Sequence, residues 1–184
     1  MAKAIAMRLS KGAVEPDASK FFGDPTIPSA WRDDFHEDVM FLAQIRLEEI
    51  APFDSEGVLP HTGYLYVFLD TREGEYDLVP IVRYFDGEPD TIVEDFNASV
   101  VEYERYVEPL GISFFESEVD ADGCKLLGVP SDWNYEEEPP HLLLQIDHMD
   151  ETLGFLPQLD GFTYLFFGED VTGFSDVQIC QEYS

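Results

Sequence analysis

Positive charge is scarce in this chain: ten Lys and Arg stand against 39 Asp and Glu in 184 residues, a formal net charge of −29. A field of that sign repels phosphate backbones and anionic lipid surfaces, so neither nucleic acid nor a membrane is expected as a direct partner. Cysteine is almost missing. Cys124 and Cys180 show no metal-ligand spacing and are expected to stay reduced. No apolar run approaches the ~20 residues of a membrane-spanning helix. Met1 to Gly12 lacks the unbroken apolar stretch and small-residue cleavage site of a signal peptide, and a cytoplasmic location is the expectation. The histidines, His36, His61, His141 and His148, have neither His-x-x-x-His nor His-Glu-x-x-His spacing, so zinc is not expected. A Gly-x-Ser-x-Gly elbow and a phosphate-cradling glycine loop are missing too, so the sequence nominates no catalytic residue and no cofactor.

What is present suffices for a core. Hydrophobic residues make up 45% and aromatic residues 14% of the chain, which argues against disorder despite the charge. At this length a single domain spanning residues 1–184 is expected. Within it a series of blocks occurs twice in the same order. Lys20-Phe21-Phe22-Gly23-Asp24-Pro25 returns as Lys125-Leu126-Leu127-Gly128-Val129-Pro130. Trp31 follows the first block and Trp133 the second. Phe41-Leu42-Ala43-Gln44-Ile45 is answered by Leu142-Leu143-Leu144-Gln145-Ile146, and Gly63-Tyr64-Leu65-Tyr66-Val67-Phe68 by Gly161-Phe162-Thr163-Tyr164-Leu165-Phe166. The reading is an internal duplication, with repeats over about residues 20–86 and 125–184. The separation shrinks from Lys20/Lys125 to Gly63/Gly161, as shorter surface loops in the second copy would produce.

Alternating and β-branched patterns place strands at Ile5–Leu9, Phe41–Leu47, Tyr64–Asp70, Leu78–Phe85, Ile112–Val119, Leu142–Ile146, Phe162–Gly168 and Val177–Cys180. Residues 11–40 read mostly as loop, and Glu48–Phe53 as a helical turn. Thr91-Ile92-Val93-Glu94 has capping-box spacing. Val93, Phe96, Val100, Tyr103, Val107 and Leu110 then recur at helical spacing, which predicts one amphipathic helix ending at Pro109 and Gly111. The expected class is α+β: largely antiparallel sheet, two pseudo-equivalent halves and one or two helices.

Six residues are candidates for a binding site. Gln44 and Gln145 sit in equivalent apolar strands, where a buried amide must find hydrogen bonds or cost about 1–3 kcal/mol. They either face a shared cleft or tie down loop backbone. Arg46 and Asp147 hold matching places with opposite charge, as a cross-half ion pair would require. Trp31 and Trp133 either stack on a ligand or cover the end of a core. Glu118-x-Asp120-x-Asp122-Gly123 opens like a calcium loop, but its twelfth position is Val129 instead of a bidentate Glu, so it reads as an acidic turn.

The motif series Lys-x-x-Gly-x-Pro, Phe-Leu-Ala-Gln-Ile-x-Leu, Leu-Pro-x-x-Gly-x-Leu-Tyr-x-Phe, then Lys-Leu-Leu-Gly-x-Pro and Leu-Leu-Leu-Gln-Ile-Asp resembles the YwqG-like family, a bacterial domain of unknown function. The resemblance runs from about Lys20 to Val177. It implies a duplicated α+β fold and carries no catalytic residue or cofactor with it. Because some relatives are thought to lie near secreted-toxin systems, it makes an immunity-type role conceivable. Joined to the charge, this gives the functional expectation: a non-catalytic acidic factor that binds a basic protein partner, its acidity favouring encounter. General solubility and a saline habitat are the other readings of the charge. The alternative function is a small-ligand protein or enzyme with a site between the halves, near Gln44, Gln145 and Asp147.

Overall fold

The computed structural model describes residues 3–72, 78–99, 108–131, 141–154, 159, 161–169 and 173–182. Its strands are β1 (Ala4–Lys11), β2 (Lys20–Phe21), β3 (Thr26–Ile27), β4 (Val39–Arg46), β5 (Tyr64–Asp70), β6 (Val79–Phe85), β7 (Thr91–Ile92), β8 (Leu110–Ser117), β9 (Lys125–Leu126), β10 (Leu142–Ile146), β11 (Phe162–Phe166) and β12 (Gln178–Glu182). Ten of them form one antiparallel sheet in the order β12-β11-β10-β9-β1-β8-β2-β4-β5-β6, and β3 pairs with β7 in a small second sheet. The edge strands β12 and β6 approach each other, so the large sheet nearly closes. Phe174 lies at that seam, 6.4 Å from the Tyr84 ring and 6.0 Å from Phe167.

The strand order is palindromic about its central pair. β1 and β8 run antiparallel over eight residues, from Ala4 opposite Ser117 to Lys11 opposite Leu110. β1 then pairs outward with β9, and β8 with β2. The first strand of each sequence half therefore hydrogen-bonds to the second strand of the other half.

Period-two alternation sorts the side chains. Ile5, Met7 and Leu9 of β1, Leu65, Val67 and Leu69 of β5, and Leu110, Ile112 and Phe114 of β8 join one buried cluster that draws on nearly every strand and fills the inside of the sheet. Tyr64, Tyr66 and Phe68 point the other way. Their rings stack along β5 at 6.1 and 6.3 Å and form, with Ile27, Val39 and Phe41, a second cluster on the outer face. The chain between β2 and β4, and the segment around β7, cover it.

Among the described residues strand accounts for 41% and helix for 8%, so the largely antiparallel sheet is as expected but the class is more β-rich than the α+β expectation, which is corrected. Among the described residues the α-helix is the four-residue α1 (Leu47–Ile50), near the expected helical turn. The helix expected after Thr91 does not form where the chain is described. Thr91 and Ile92 pair with Ile27 and Thr26 as a strand, Phe96–Ser99 makes a single 3-10 turn, and Leu110 opens β8. Residues 100–107 of that expected helix lie outside the described residues. The competing force is burial. Val93 and Phe96 are needed as a lid over the outer aromatic cluster, and the buried Asn97 side chain exchanges hydrogen bonds with the Phe41 backbone at 2.7 and 2.9 Å. No helix among the described residues is long and apolar enough to cross a membrane.

Gly63 tests the turn geometry. It has φ +80° at the start of β5, and a Cβ there would lie 2.2 Å from the Phe85 carbonyl oxygen. Gly57 has φ +62° with open space around it. Gly63→Ala should lower the urea-unfolding free energy by at least about 3 kcal/mol, while Gly57→Ala, which carries only the dihedral penalty, should cost about 1 kcal/mol. Equal losses would rule out the close approach as the constraint.

Candidate functional site

Two sets of buried polar groups on the outer face share one construction. In the register of the sheet Lys20 stands opposite Gln44, and Gln44 opposite Tyr66. Likewise Lys125 stands opposite Gln145, and Gln145 opposite Tyr164. The flanking residues Phe21, Ala43, Ile45, Leu126, Leu144 and Ile146 all point into the main core, so alternation drives each Lys and Gln outward, beneath the loops.

Both glutamines are completely buried. The Gln44 amide donates to the Ala18 and Pro16 carbonyls at 2.8 and 2.9 Å, and its oxygen accepts the Thr26 N–H at 3.0 Å. Gln145 donates to the Gly123 carbonyl at 2.8 Å and accepts the Ser131 N–H at 3.1 Å. Each amide thus pins the loop before its lysine strand to the loop after it. Lys20 adds a bond to the Pro16 carbonyl at 2.9 Å, and Lys125 one to the Ala121 carbonyl. The next residues match as well. Phe22 and Leu127 take positive φ, 58° and 59°, and donate their N–H groups to the Leu42 and Leu143 carbonyls. The Ser19 hydroxyl accepts the Arg46 N–H at 2.9 Å, and the Cys124 sulfur accepts that of Asp147 at 3.4 Å.

Burial depresses both lysine pKa values from 10.5 to about 8, against the opposing pull of Asp24 and Asp17 on Lys20 and of Asp120 and Asp122 on Lys125. Burial likewise pushes the Cys124 thiol up to about 12, which makes it an unreactive core sulfur. The acidic turn at residues 118–123 therefore surrounds a buried ammonium. Among the described residues no group of three or more His, Cys, Asp or Glu side chains could hold a metal ion.

The structure separates the sequence-nominated residues. Four strands lie between β4 and β10 in the sheet, and the hydrogen bonds of Gln44 and Gln145 go to loops within their own surroundings, not into a common cleft. Arg46 and Asp147 do not form the cross-half ion pair. Arg46 lies among Asp17, Glu48 and Glu88 at 3.5, 3.7 and 4.0 Å, whereas Asp147 accepts the Met149 N–H at 2.8 Å in a tight turn. Trp31, in a 3-10 turn, meets the Tyr66 and Phe85 rings edge-on at 5.5 and 5.8 Å, as a cover for the outer aromatic cluster. Trp133 lies outside the described residues. The buried lysines escaped notice in the sequence because they stand inside turn-like motifs. The signal that could have found them is the recurrence of a lysine at the same place in both blocks.

No family model and no curated protein matches the chain.

Two outcomes follow from the clamps. A base with a depressed pKa in the folded state binds fewer protons than its unfolded counterpart between pH 8 and 10.5. Its contribution to stability therefore rises with pH across that window and is a constant penalty below it. Lys125→Met should remove this rise, by up to about 3 kcal/mol at 1.36 kcal/mol per pKa unit, and should be at least as stable as the parent at pH 7. Unfolding free energies of both proteins across pH 7–10.5 give the difference, and parallel curves would exclude the charged, buried state. Gln145→Leu strands the Ser131 N–H and the Gly123 carbonyl, and should cost about 2–4 kcal/mol in the same assay.

Proposed function

We propose that this chain is a non-catalytic, acidic protein-binding factor of the bacterial cytoplasm, immunity-like in that it masks a basic toxin or nuclease domain. We take it as a member of the YwqG-like family built by internal duplication. The palindromic strand order and the paired clamps support the duplication, and the order of the motif blocks supports the family.

One observation carries the functional reading: among the described residues most cations are buried, paired with carboxylates or held over aromatic rings. Lys20 and Lys125 are buried. Lys3 pairs with Glu116, Arg46 with its three carboxylates, Arg72 with Asp70 at 2.6 Å and Arg83 with Asp34 at 2.6 Å. Arg83 also lies over the Trp31 and Phe35 rings, and Arg8 over Phe115. Among the described residues this leaves Lys11 and Arg32 as the cations outside any ion pair or ring contact. With so few cations left unengaged, carboxylates dominate the surface charge, which steers and selects basic proteins. The alternative of a small-ligand site between the halves gains no support from Gln44 and Gln145, whose amides are occupied by loop backbone.

Capture of partners by the immobilised chain should retain basic proteins at about 0.05 M salt and release most of them at about 0.5 M, where the Debye length falls several-fold. Retention of no basic protein, or retention indifferent to salt, would defeat the reading.

A further inference from the structure

Between the two clamps the outer face of the central strands is open. Arg8, Ser10, Ser113 and Phe115 are exposed there. To one side, under the chain that links β1 to β2, lies a cleft of about 230 Å³. Its floor is Ser10, Gly111 and Ser113. A Cβ on Gly111 would come within 3.3 Å of the Ser10 hydroxyl and 3.4 Å of a Val14 methyl, so the glycine keeps the floor low. Glu15 and the half-buried Glu49 of α1 also line it. Among the described residues neither carboxylate has an ion-pair or hydrogen-bond partner, although Lys11 lines the same cleft. The volume is below the roughly 300–1,000 Å³ of small-molecule pockets and suits one long side chain.

The counterpart place across the central pair is already filled. Under the separation that relates Lys20 to Lys125, Ser10 corresponds to Phe115, and Ser113 to Arg8. There the Arg8 guanidinium lies over the Phe115 ring, 4.6 Å from its centroid. One side of the pseudo-symmetric face thus holds a resident guanidinium. On the other side serines replace both residues, and two unpaired carboxylates face the space.

We propose that this cleft is the anchor pocket for one arginine or lysine side chain of the basic partner, its methylene stem along Val14 and its charged head at Glu15 and Glu49. The inference rests on reading the chain as a binder of basic proteins. The probe is the peptide acetyl-Gly-Arg-Gly-amide, titrated at low salt into the full chain with amide chemical shifts as readout. Norleucine in place of arginine serves as the uncharged control. The arginine peptide should shift the Gly111 and Ser113 amides, and the norleucine peptide should not. The double substitution Glu15→Gln/Glu49→Gln should weaken binding about tenfold, and Lys11→Ala, which removes the resident cation, should tighten it about threefold. Asp33→Asn/Glu37→Gln removes the same charge from exposed positions outside the cleft and should change affinity less than about twofold. The cleft assignment is overturned if Gly111 and Ser113 do not respond, if the distant pair weakens binding as much as the cleft pair, or if Lys11→Ala weakens it. None of these results bears on salt-dependent capture by the parent chain, which tests the broader reading by itself.

Discussion

A nearly closed sheet has two faces to satisfy, and here the loops crossing the outer face bring peptide groups into a region that water does not reach. Each buried N–H and C=O there needs a partner. The strands supply few, because most of their own groups are consumed within the sheet; the Leu42 and Leu143 carbonyls, which accept the Phe22 and Leu127 N–H groups, are exceptions. Gln44 and Gln145 meet the need with both ends of an amide, accepting from the loop after the clamp and donating to the loop before it. The geometry then dictates its surroundings. β2 and β9 are two residues long because the chain must leave the sheet at once to reach the glutamine, and it does so through Phe22 and Leu127 in the left-handed region, followed by Gly23 and Gly128. The glycine and proline of each Lys-x-x-Gly-x-Pro block belong to this exit turn.

The lysines make the same clamp electrostatically costly. An ammonium with little water around it is disfavoured, and the depressed pKa values of Lys20 and Lys125 express that cost. The carboxylates nearest them, Asp17 and Asp24 in one case and Asp120 and Asp122 in the other, pull in the opposite direction. Part of the acidity of the chain is therefore structural: it offsets buried cations. This portion is small beside a net charge of −29. Most of the excess faces solvent, where it repels itself and lowers the stability of the compact state. That cost is the counterpart of the attraction to basic proteins proposed above.

Long strands were legible in the sequence because apolar alternation is a direct image of a pleated strand. The expected Tyr64–Asp70 and Leu142–Ile146 have the bounds of β5 and β10. The strands β2, β3, β7 and β9 were not legible, since two residues hold no period, and residues 11–40 read as loop although three strands begin within them. The helix expected from Val93 onward shows the limit of periodicity. Apolar residues spaced for one helical face serve equally to place Val93 and Phe96 on the outer aromatic cluster from an irregular chain. The candidate site was legible in part. The glutamines were visible as buried amides with two possible roles, and the structure assigns them to loop backbone. Arg46 and Asp147 were visible as an exchange of charge, but sequence alone gives no distance. Theirs is set by the four strands between β4 and β10.

What matches between the halves is accounted for by packing and hydrogen bonding, so only the differences between them are left unexplained by that architecture. The differences fall into two kinds. Ser19 and Cys124 differ in atom type yet do the same work, each accepting the backbone N–H two residues after its glutamine. Substitutions of that kind are neutral to the architecture. Arg46 and Asp147 differ in work. One gathers three carboxylates over the Tyr64 hydroxyl, whose pKa burial raises to about 12, and the other closes a turn. The exchange of Ser10 and Ser113 for Phe115 and Arg8 belongs to the second kind and lies on the central pair itself, where each half borrows a strand from the other. A fold assembled from two like halves would present two like faces at its centre. Here one carries the exposed Arg8 guanidinium over the Phe115 ring and the other is small, polar and lined by Glu15 and Glu49, so the two faces differ at the centre of the sheet.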